Sequence, residues 1–375
     1  MLIRPISLCA LLALPLVCSL RSPVSAFERP WQQEVNYIID VTLADDGRTI
    51  SGTIDIEYIN QSPDTLDVIY LKAYPNACQP GSYSDKWLRG RGIDRLSDLT
   101  EEQQGSLTIE RPAGMDEFDL PYRYIETDNS IIAVHLNQPL PPLTTIELPF
   151  DFVTVLPKPA QLRMGVSSAV TKAVYWYPQV CVYDHRRGWV NSQYLGNGEC
   201  YGDFGTYIVS ITAPDNMIVA ATGYCENEPE VLPDTLRAML QLDNFLGPRD
   251  EWPEFDFDSV ATRTWQYYAE NVNDFAFTAS ANWCLDADTV GGVEVVAYAL
   301  RHKAESWQEA AEKGAGVIEF YSETFYPYPY PVMRLCDAFS GMEYPMLTNI
   351  SNGAPNPFFD IVIFHEIGHQ WFMAM

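Results

Sequence analysis

Basic residues are scarce in this chain. Its 375 residues include 23 Lys and Arg against 50 Asp and Glu, which gives a formal net charge of −27 at pH 7. Nucleic acids and anionic membrane surfaces are bound through clustered Lys and Arg side chains. The composition therefore argues against a nucleic-acid-binding protein. It leaves solubility, or the attraction of cationic peptides, as the role of the negative charge.

Long apolar runs are also lacking after the first residues. The apolar run over residues 6–20 is short for a membrane span and is interrupted by Pro15. Arg4 precedes it, and small residues end it at positions 24–26. This is the pattern of a secretory signal peptide over residues 1–26. We therefore expect an exported protein, periplasmic or extracellular, with no membrane span in the rest of the chain.

Cysteine shows no metal-type C-x-x-C spacing. Six cysteines remain once residues 1–26 are removed: Cys78, Cys181, Cys200, Cys225, Cys284 and Cys336. Because exported proteins can form disulfides, we expect at least two of the six to be paired. The spacing does not choose among the pairings.

No internal repeat or low-complexity segment is present, and most of the chain up to Thr222 alternates as β-strands do. Residues 35–43 and 49–59 flank Asp45-Asp46-Gly47, which predicts a hairpin. Other predicted strands cover residues 66–73, 131–136, 146–153, 207–213, 263–270 and 274–279. We therefore expect residues 27–290 to form a multi-stranded antiparallel all-β saddle or sandwich.

The pattern changes after Gly291-Gly292. Residues 293–300 and 332–339 are predicted strands, and residues 303–325 carry apolar side chains at helical spacing. Three prolines over residues 326–331 end that helix. We place a domain boundary near Gly291, so that residues 291–375 belong to a second, α+β domain of a multidomain protein.

The end of the chain contains an H-E-x-x-H pattern formed by His365, Glu366 and His369. Residues four apart lie on one face of a helix, so the two imidazoles can bind a single metal ion. Glu366 lies beside them, where it can accept a proton from the attacking water. Gly368 would allow another backbone to approach closely. The pattern predicts a zinc site on a buried helix.

A second pattern lies 22 residues before His365, where Glu343 follows a predicted strand within Gly341-Met342-Glu343-Tyr344-Pro345. A carboxylate held near a zinc cleft can bind the ammonium group of a substrate. By itself this glutamate would pass as one more acidic residue in an acidic protein. Its importance comes from its combination with the histidine motif.

With both motifs, the chain resembles the zinc aminopeptidases of peptidase family M1, which include leukotriene hydrolase and alanyl aminopeptidases. The segment 340–344, Ser-Gly-Met-Glu-Tyr, stands where that family has Gly-Ala-Met-Glu-Asn. Landmarks similar to those of its bacterial members precede the motifs in the same order, at residues 176–178, 182–184, 201–205, 221–223 and 273–276.

The resemblance implies an aminopeptidase that hydrolyses the first bond of peptides with a free N-terminus. The fold it implies is a β-saddle followed by the first part of a thermolysin-like catalytic domain. The family's site residues correspond to the zinc ligands His365 and His369, the general base Glu366, and the substrate-binding residues Gly341, Met342 and Glu343. Glu343 would bind the substrate amine, and Gly341 and Met342 would lie on the edge strand beside the peptide.

The chain departs from the family at several points. Ser340 and Tyr344 replace the family's Gly and Asn, which bears on substrate preference. The family's third zinc ligand, a Glu on the next helix, and its oxyanion-stabilising Tyr would lie beyond Met375. The glutamine of the saddle that helps to hold the substrate amine has no identified counterpart here. We therefore expect the chain to be the front part of a longer protein.

Two alternatives remain open at this point. One is another zinc hydrolase, either an endopeptidase or an epoxide hydrolase of the leukotriene type. The other is a non-catalytic secreted protein that binds peptides and has an incomplete peptidase site. An endopeptidase would cleave peptides with blocked N-termini, whereas a binding protein would cleave none.

Zinc affinity gives the first test. The 375-residue chain by itself should bind zinc weakly and show little peptidase activity, because two imidazoles are fewer than the three protein ligands of catalytic zinc sites. Titration with Zn²⁺ against a chromogenic chelator measures this affinity. Tight binding of one ion per chain would contradict the expectation and show that a third ligand is already present.

Overall fold

The structure is a computed structural model that describes residues 31–196, 201–258, 260–351 and 358–372. The expected signal peptide over residues 1–26 and Cys200 lie outside these ranges. In the described part of the chain, no helix combines the length and the hydrophobicity that crossing a bilayer requires.

The described residues contain strands arranged in five sheets. In chain order the strands are β1 (Glu34–Leu43), β2 (Thr49–Asn60), β3 (Leu66–Lys72), β4 (Ser106–Glu110), β5 (Tyr122–Asp128), β6 (Ile131–Leu140), β7 (Thr144–Val155), β8 (Gly165–Ser167), β9 (Val170–Ala173), β10 (Gln179–Val180), β11 (Tyr183–Asp184), β12 (Gly188–Trp189), β13 (Gly205–Pro214), β14 (Ile218–Ala221), β15 (Tyr224–Cys225), β16 (Thr262–Val272), β17 (Phe277–Ser280), β18 (Trp283–Val290), β19 (Val293–Leu300), β20 (Val332–Asp337), β21 (Met342–Tyr344) and β22 (Leu347–Ile350).

Helices are fewer and mostly short. They are α1 (Tyr83–Arg89), α2 (Glu228–Val231), α3 (Asp234–Met239), α4 (Ala304–Trp307), α5 (Ala310–Thr324) and α6 (Phe359–Phe372). Short 3-10 helices cover Tyr74–Cys78, Glu101–Gln103, Leu242–Phe245, Arg249–Glu251 and Arg301–Lys303.

The largest sheet has seven strands in the order β15-β16-β13-β1-β2-β7-β4. Its β1–β2 hairpin confirms the prediction, with Glu34 opposite Ile59 and Leu43 opposite Ile50. Alternate residues of β1 are buried, because successive side chains of a strand point to opposite faces and only one face meets the core.

One pairing in this sheet corrects the expectation of a purely antiparallel all-β unit over residues 27–290. Strand β1 pairs with β13 in parallel, with Tyr37 opposite Tyr207 and Thr42 opposite Thr212. A parallel pair needs a long crossover, and the chain between these two strands supplies it by forming β2 to β12, which include two complete smaller sheets. The sheet is therefore mixed. The short helices α1, α2 and α3 also lie within this β-rich part of the chain.

Three smaller sheets lie in the same β-rich part. Their strand orders are β10-β3-β6-β5, β11-β12 and β14-β17-β9-β8. Fully buried aromatic side chains join the sheet of β17 to the large sheet, since the Trp176 ring lies 5.2 Å from Phe277 and 6.1 Å from Phe152. Nearly all buried hydrophobic side chains of the described residues form one continuous cluster.

The fifth sheet has the strand order β18-β19-β20-β22-β21; it carries Glu343 on β21, and the helix of the histidine motif packs on it. Gly291 and Gly292 form its first turn, with φ of +57° and +89°, which favours glycine at both positions. This sheet therefore begins at Trp283, and the predicted boundary near Gly291 falls in the hairpin turn between β18 and β19.

Strand β19 pairs with β20 in parallel, and β20 pairs with β22 in parallel. Strand β21 is the antiparallel strand at the edge of the sheet. The helix predicted over residues 303–325 is confirmed in its main part as α5, after the separate short helix α4. Helices α5 and α6 contact each other and pack on this sheet. The overall class is thus a β-rich N-terminal part followed by a mixed α and β part.

The expectation of a disulfide is wrong for the five cysteines that the structure describes, which are all free thiols. Cys284 and Cys336 show the reason, because their strands β18 and β20 lie on opposite sides of β19. Strands separated by one neighbour are about 9–10 Å apart, beyond the roughly 7 Å that a disulfide spans. Both thiols instead pack in the core as small apolar groups.

Arg334 joins the fifth sheet to the β-rich part. It lies on β20, is 4% exposed, and donates hydrogen bonds from Nη1 to the carbonyl oxygens of Ala221 and Gly223. Another hydrogen bond across the same junction runs from the Thr278 hydroxyl to Asn349 Oδ1, at 2.9 Å. These contacts fix one sheet against the other.

Replacing this arginine tests the junction. Arg334→Met should lower the free energy of unfolding by about 2–4 kcal/mol, because it leaves two buried carbonyl groups unpaired. Urea unfolding measures the loss. The control is Arg89→Met, whose side chain is 60% exposed and lies 3.8 Å from Asp94. The control should stay within about 0.5 kcal/mol of the unmutated protein, and equal midpoints for the two variants would contradict the role of Arg334.

Candidate metal centre

The histidine motif lies on α6, in its second half. One face of the helix is buried through Ile363, Ile367 and Gln370, whereas Phe364 and Phe372 are exposed. The helix is therefore buried on one face and exposed on the other. His365 is exposed and His369 is half-buried.

The two imidazoles converge as the four-residue spacing predicts. His365 Nε2 and His369 Nε2 lie 3.2 Å apart. Two zinc–nitrogen bonds of about 2.0–2.1 Å at a tetrahedral angle bring their nitrogens to about 3.3 Å from each other. The distance between the two Nε2 atoms therefore fits the binding of one zinc ion without a change in the backbone.

Glu343 reaches this helix from the edge strand β21, where it is 5% exposed and stands opposite Thr348 of β22. One ligand atom each from Glu343, Glu366 and His369 lies within 4.8 Å of the others. Carboxylate and imidazole groups are a donor set that zinc accepts. The structure thus brings together two buried carboxylates and the half-buried imidazole of His369, a group that could hold a metal ion and that does not include His365.

Gly341 packs against the motif glutamate. A Cβ added at this position would lie 2.2 Å from Glu366 Oε1, so a larger residue there would require the end of the Glu366 side chain to move. Met342 is the first residue of β21 and is buried, whereas Gly341 lies one position before the strand. Gly341 is therefore not on the edge strand, and it lies instead against the carboxylate of Glu366.

Gly368 makes a different contact from the predicted one. A Cβ there would lie 2.7 Å from the Tyr321 hydroxyl oxygen, so the close approach is by a side chain of α5 and not by another backbone. The Tyr321 ring also stacks on Trp371, with centroids 5.1 Å apart. The glycine thus allows α5 and α6 to pack tightly.

Gln370 is a site-supporting residue that the sequence analysis missed. Its fully buried amide donates to the Tyr344 carbonyl at 2.9 Å and accepts from the Met346 N–H at 3.0 Å. It therefore fixes the turn after β21 to the helix that carries the histidines. The available signal was its position directly after His369, four residues from Glu366 and hence on the same helical face.

Lys172 is the second missed residue. It lies on β9 with no exposed surface, and its Nζ donates to the carbonyl oxygens of Phe339 and Ser340, at 3.2 and 3.0 Å. Burial lowers the pKa of its ammonium group to about 7, and the nearby carboxylates of Glu366 and Glu343 oppose this shift. The signal in the sequence was a lysine within the mostly apolar segment 169–174.

No protein-family model matches the chain, and no curated protein matches it. The functional argument therefore depends on the geometry around α6 and β21. That geometry offers two converging imidazoles and two buried carboxylates.

The contact between Gly341 and Glu366 gives the next test. Gly341→Ala should lower the free energy of unfolding by about 1–3 kcal/mol, because the new methyl group and the Glu366 carboxylate cannot both keep their places. Gly316 on α5 is the matched control, since a Cβ there meets nothing within 4 Å. Gly316→Ala should stabilise the protein by up to about 1 kcal/mol, as alanine favours helix. Urea unfolding compares them, and equal stability of Gly341→Ala and the unmutated protein would contradict the contact.

Proposed function

We propose that this chain carries the metal-binding helix and the amine-binding strand of an exported zinc aminopeptidase of the M1 type. One observation carries the proposal: Glu343, which lies 23 residues before Glu366 in the sequence, is buried beside Glu366 and His369. A chance match to the histidine motif gives no reason for that convergence.

His365 and His369 would hold the zinc ion, and the 3.2 Å between their Nε2 atoms supports this. Bound there, zinc would polarise the scissile carbonyl group and lower the pKa of water toward about 7. Imidazole nitrogens with nearby carboxylates also suit zinc better than calcium or magnesium, which prefer all-oxygen sites.

Glu366 is the proposed general base. It is adjacent to His365 in the helix, and Gly341 leaves space for its carboxylate on the side of β21. From there it would accept a proton from the attacking water and pass it to the leaving amine.

Glu343 is the proposed anchor for the free α-amino group. Its strand β21 is the edge strand of the described sheet, so a peptide can pair with the free edge in an extended conformation. A buried carboxylate at that edge would bind the ammonium group and fix which bond lies at the metal. This arrangement favours an exopeptidase over an endopeptidase.

The surrounding fold supports the same proposal. The sheet from β18 to β22, with α5 and α6 packed on it, is proposed as the start of a thermolysin-like catalytic domain. The β-rich part before it would be the saddle that closes one side of the cleft. Lys172 of β9 contacts the segment just before Glu343, which supports a saddle that borders the site.

Glu343 gives the test that decides the function. In the full gene product, Glu343→Ala should lower kcat/KM for peptides with a free N-terminus by about ten- to a hundred-fold, because a charge-assisted bond to the substrate is lost. Zinc content should stay normal. The control is Glu305→Ala, which removes an exposed carboxylate from α4 and should leave kcat/KM unchanged.

Acetylated substrates complete this experiment. Each enzyme is assayed with the free and the N-acetylated form of one peptide, and the unmutated enzyme should already cleave the acetylated form poorly. Equal cleavage of the two forms would sink the aminopeptidase assignment and leave an endopeptidase. No cleavage of either form would leave a peptide-binding protein.

A further inference from the structure

The segment between β20 and β21 has an unusual backbone conformation. Ser340 has φ of +55°, in the left-handed backbone region that residues other than glycine rarely adopt. The residue stands where the motif of the similar aminopeptidases has glycine, so this chain needs another way to hold the turn. Glu343 follows three residues later, so a change in the conformation of this turn would displace its side chain.

Lys172 supplies that support from the β-rich part. Its Nζ lies 3.2 Å from the Phe339 carbonyl, 3.0 Å from the Ser340 carbonyl and 3.2 Å from the Ser340 hydroxyl. Three acceptors match the three N–H groups of an ammonium ion. The Phe339 ring adds a cation–π contact at 5.4 Å. The Ser340 hydroxyl thus has Lys172 as a hydrogen-bond partner, a contact that glycine at this position could not make.

Three charged side chains influence this ammonium group. Glu366 of α6 and Glu343 of β21 favour its positive charge, whereas Arg163 disfavours it. The two carboxylates of the candidate site therefore both act on the same buried cation. Displacement of Lys172 would affect both of them together.

We propose that Lys172 is the positioning residue of the candidate site, and that it holds the Phe339–Ser340 turn so that Glu343 faces the metal-binding helix. Ser340 is its matched partner, and the pair replaces the glycine of the related motif. The inference rests on the proposed function, because it treats Glu343 as the residue that binds the substrate amine.

Hydrogen exchange measured by mass spectrometry tests the positioning directly. Lys172→Met should speed exchange of the amides in residues 339–344 by about tenfold or more, since local opening no longer breaks three hydrogen bonds. The control is Lys72→Met, because Lys72 is also buried and donates to Gln179 Oε1 and the Tyr201 carbonyl, both at 2.7 Å. Lys72→Met should leave exchange of residues 339–344 unchanged.

Substitutions of Ser340 allow the proposal to be tested even if Lys172→Met does not fold. Ser340→Ala loses the hydroxyl contact and keeps the left-handed backbone, so it should speed exchange of residues 339–344. Ser340→Gly removes the strain, because glycine adopts positive φ freely. In the Lys172→Met background, Ser340→Gly should therefore restore part of the lost protection, whereas in the unmutated background it should change little.

Kinetics separate positioning from a purely structural role. In the full gene product, Lys172→Met should raise KM for free-N-terminus peptides by about tenfold at normal zinc content, since Glu343 is displaced from the amine. Lys72→Met should leave KM unchanged. An unaltered KM, or equal exchange in the two lysine variants, would overturn the proposal. If the unmutated protein cleaves no peptide, the proposed function fails, while the exchange comparison still decides the role of Lys172.

Discussion

The candidate site depends on the close approach between α6 and the segment that begins β21. Gly341 makes this approach possible because the Glu366 carboxylate occupies the space that a Cβ would need. Gln370 fixes the turn after β21 to α6, and Lys172 fixes the turn before it to β9. The strand that carries Glu343 is therefore held at both ends. Two parallel strand pairs and the helix α5 place this assembly on a rigid sheet.

Buried cations have an unexpected importance in so acidic a chain. Although basic residues are few, Lys72, Lys172 and Arg334 are almost fully buried, and each donates to main-chain carbonyl groups in another part of the fold. Carbonyl groups outside regular strands have no ladder partner, and a buried one must be paired. A lysine or arginine offers several N–H donors on a long stem, so one side chain can satisfy two or three of them.

The departure at Ser340 from the motif of the proposed aminopeptidase family has a structural explanation. A positive φ at a non-glycine residue costs energy, but the Ser340 hydroxyl lies within hydrogen-bond distance of Lys172 Nζ. The departure is thus compensated within the fold. The zinc ion, the aminopeptidase activity and the export of the protein stay predictions.

The sequence by itself determined the local features. Helical periodicity predicted that His365 and His369 converge, and alternation predicted the β1–β2 hairpin and eight of the other described strands, because these patterns depend only on residues near in sequence. Tertiary structure alone decided the parallel pairing of β1 with β13, the free thiols, and the contacts of Lys172. Lys172 and Ser340 are 168 residues apart, and no local pattern records which sheet will pack against which turn. Such contacts arise only when several sheets bury a common core, and this is why the residues that position Glu343 were found in the structure.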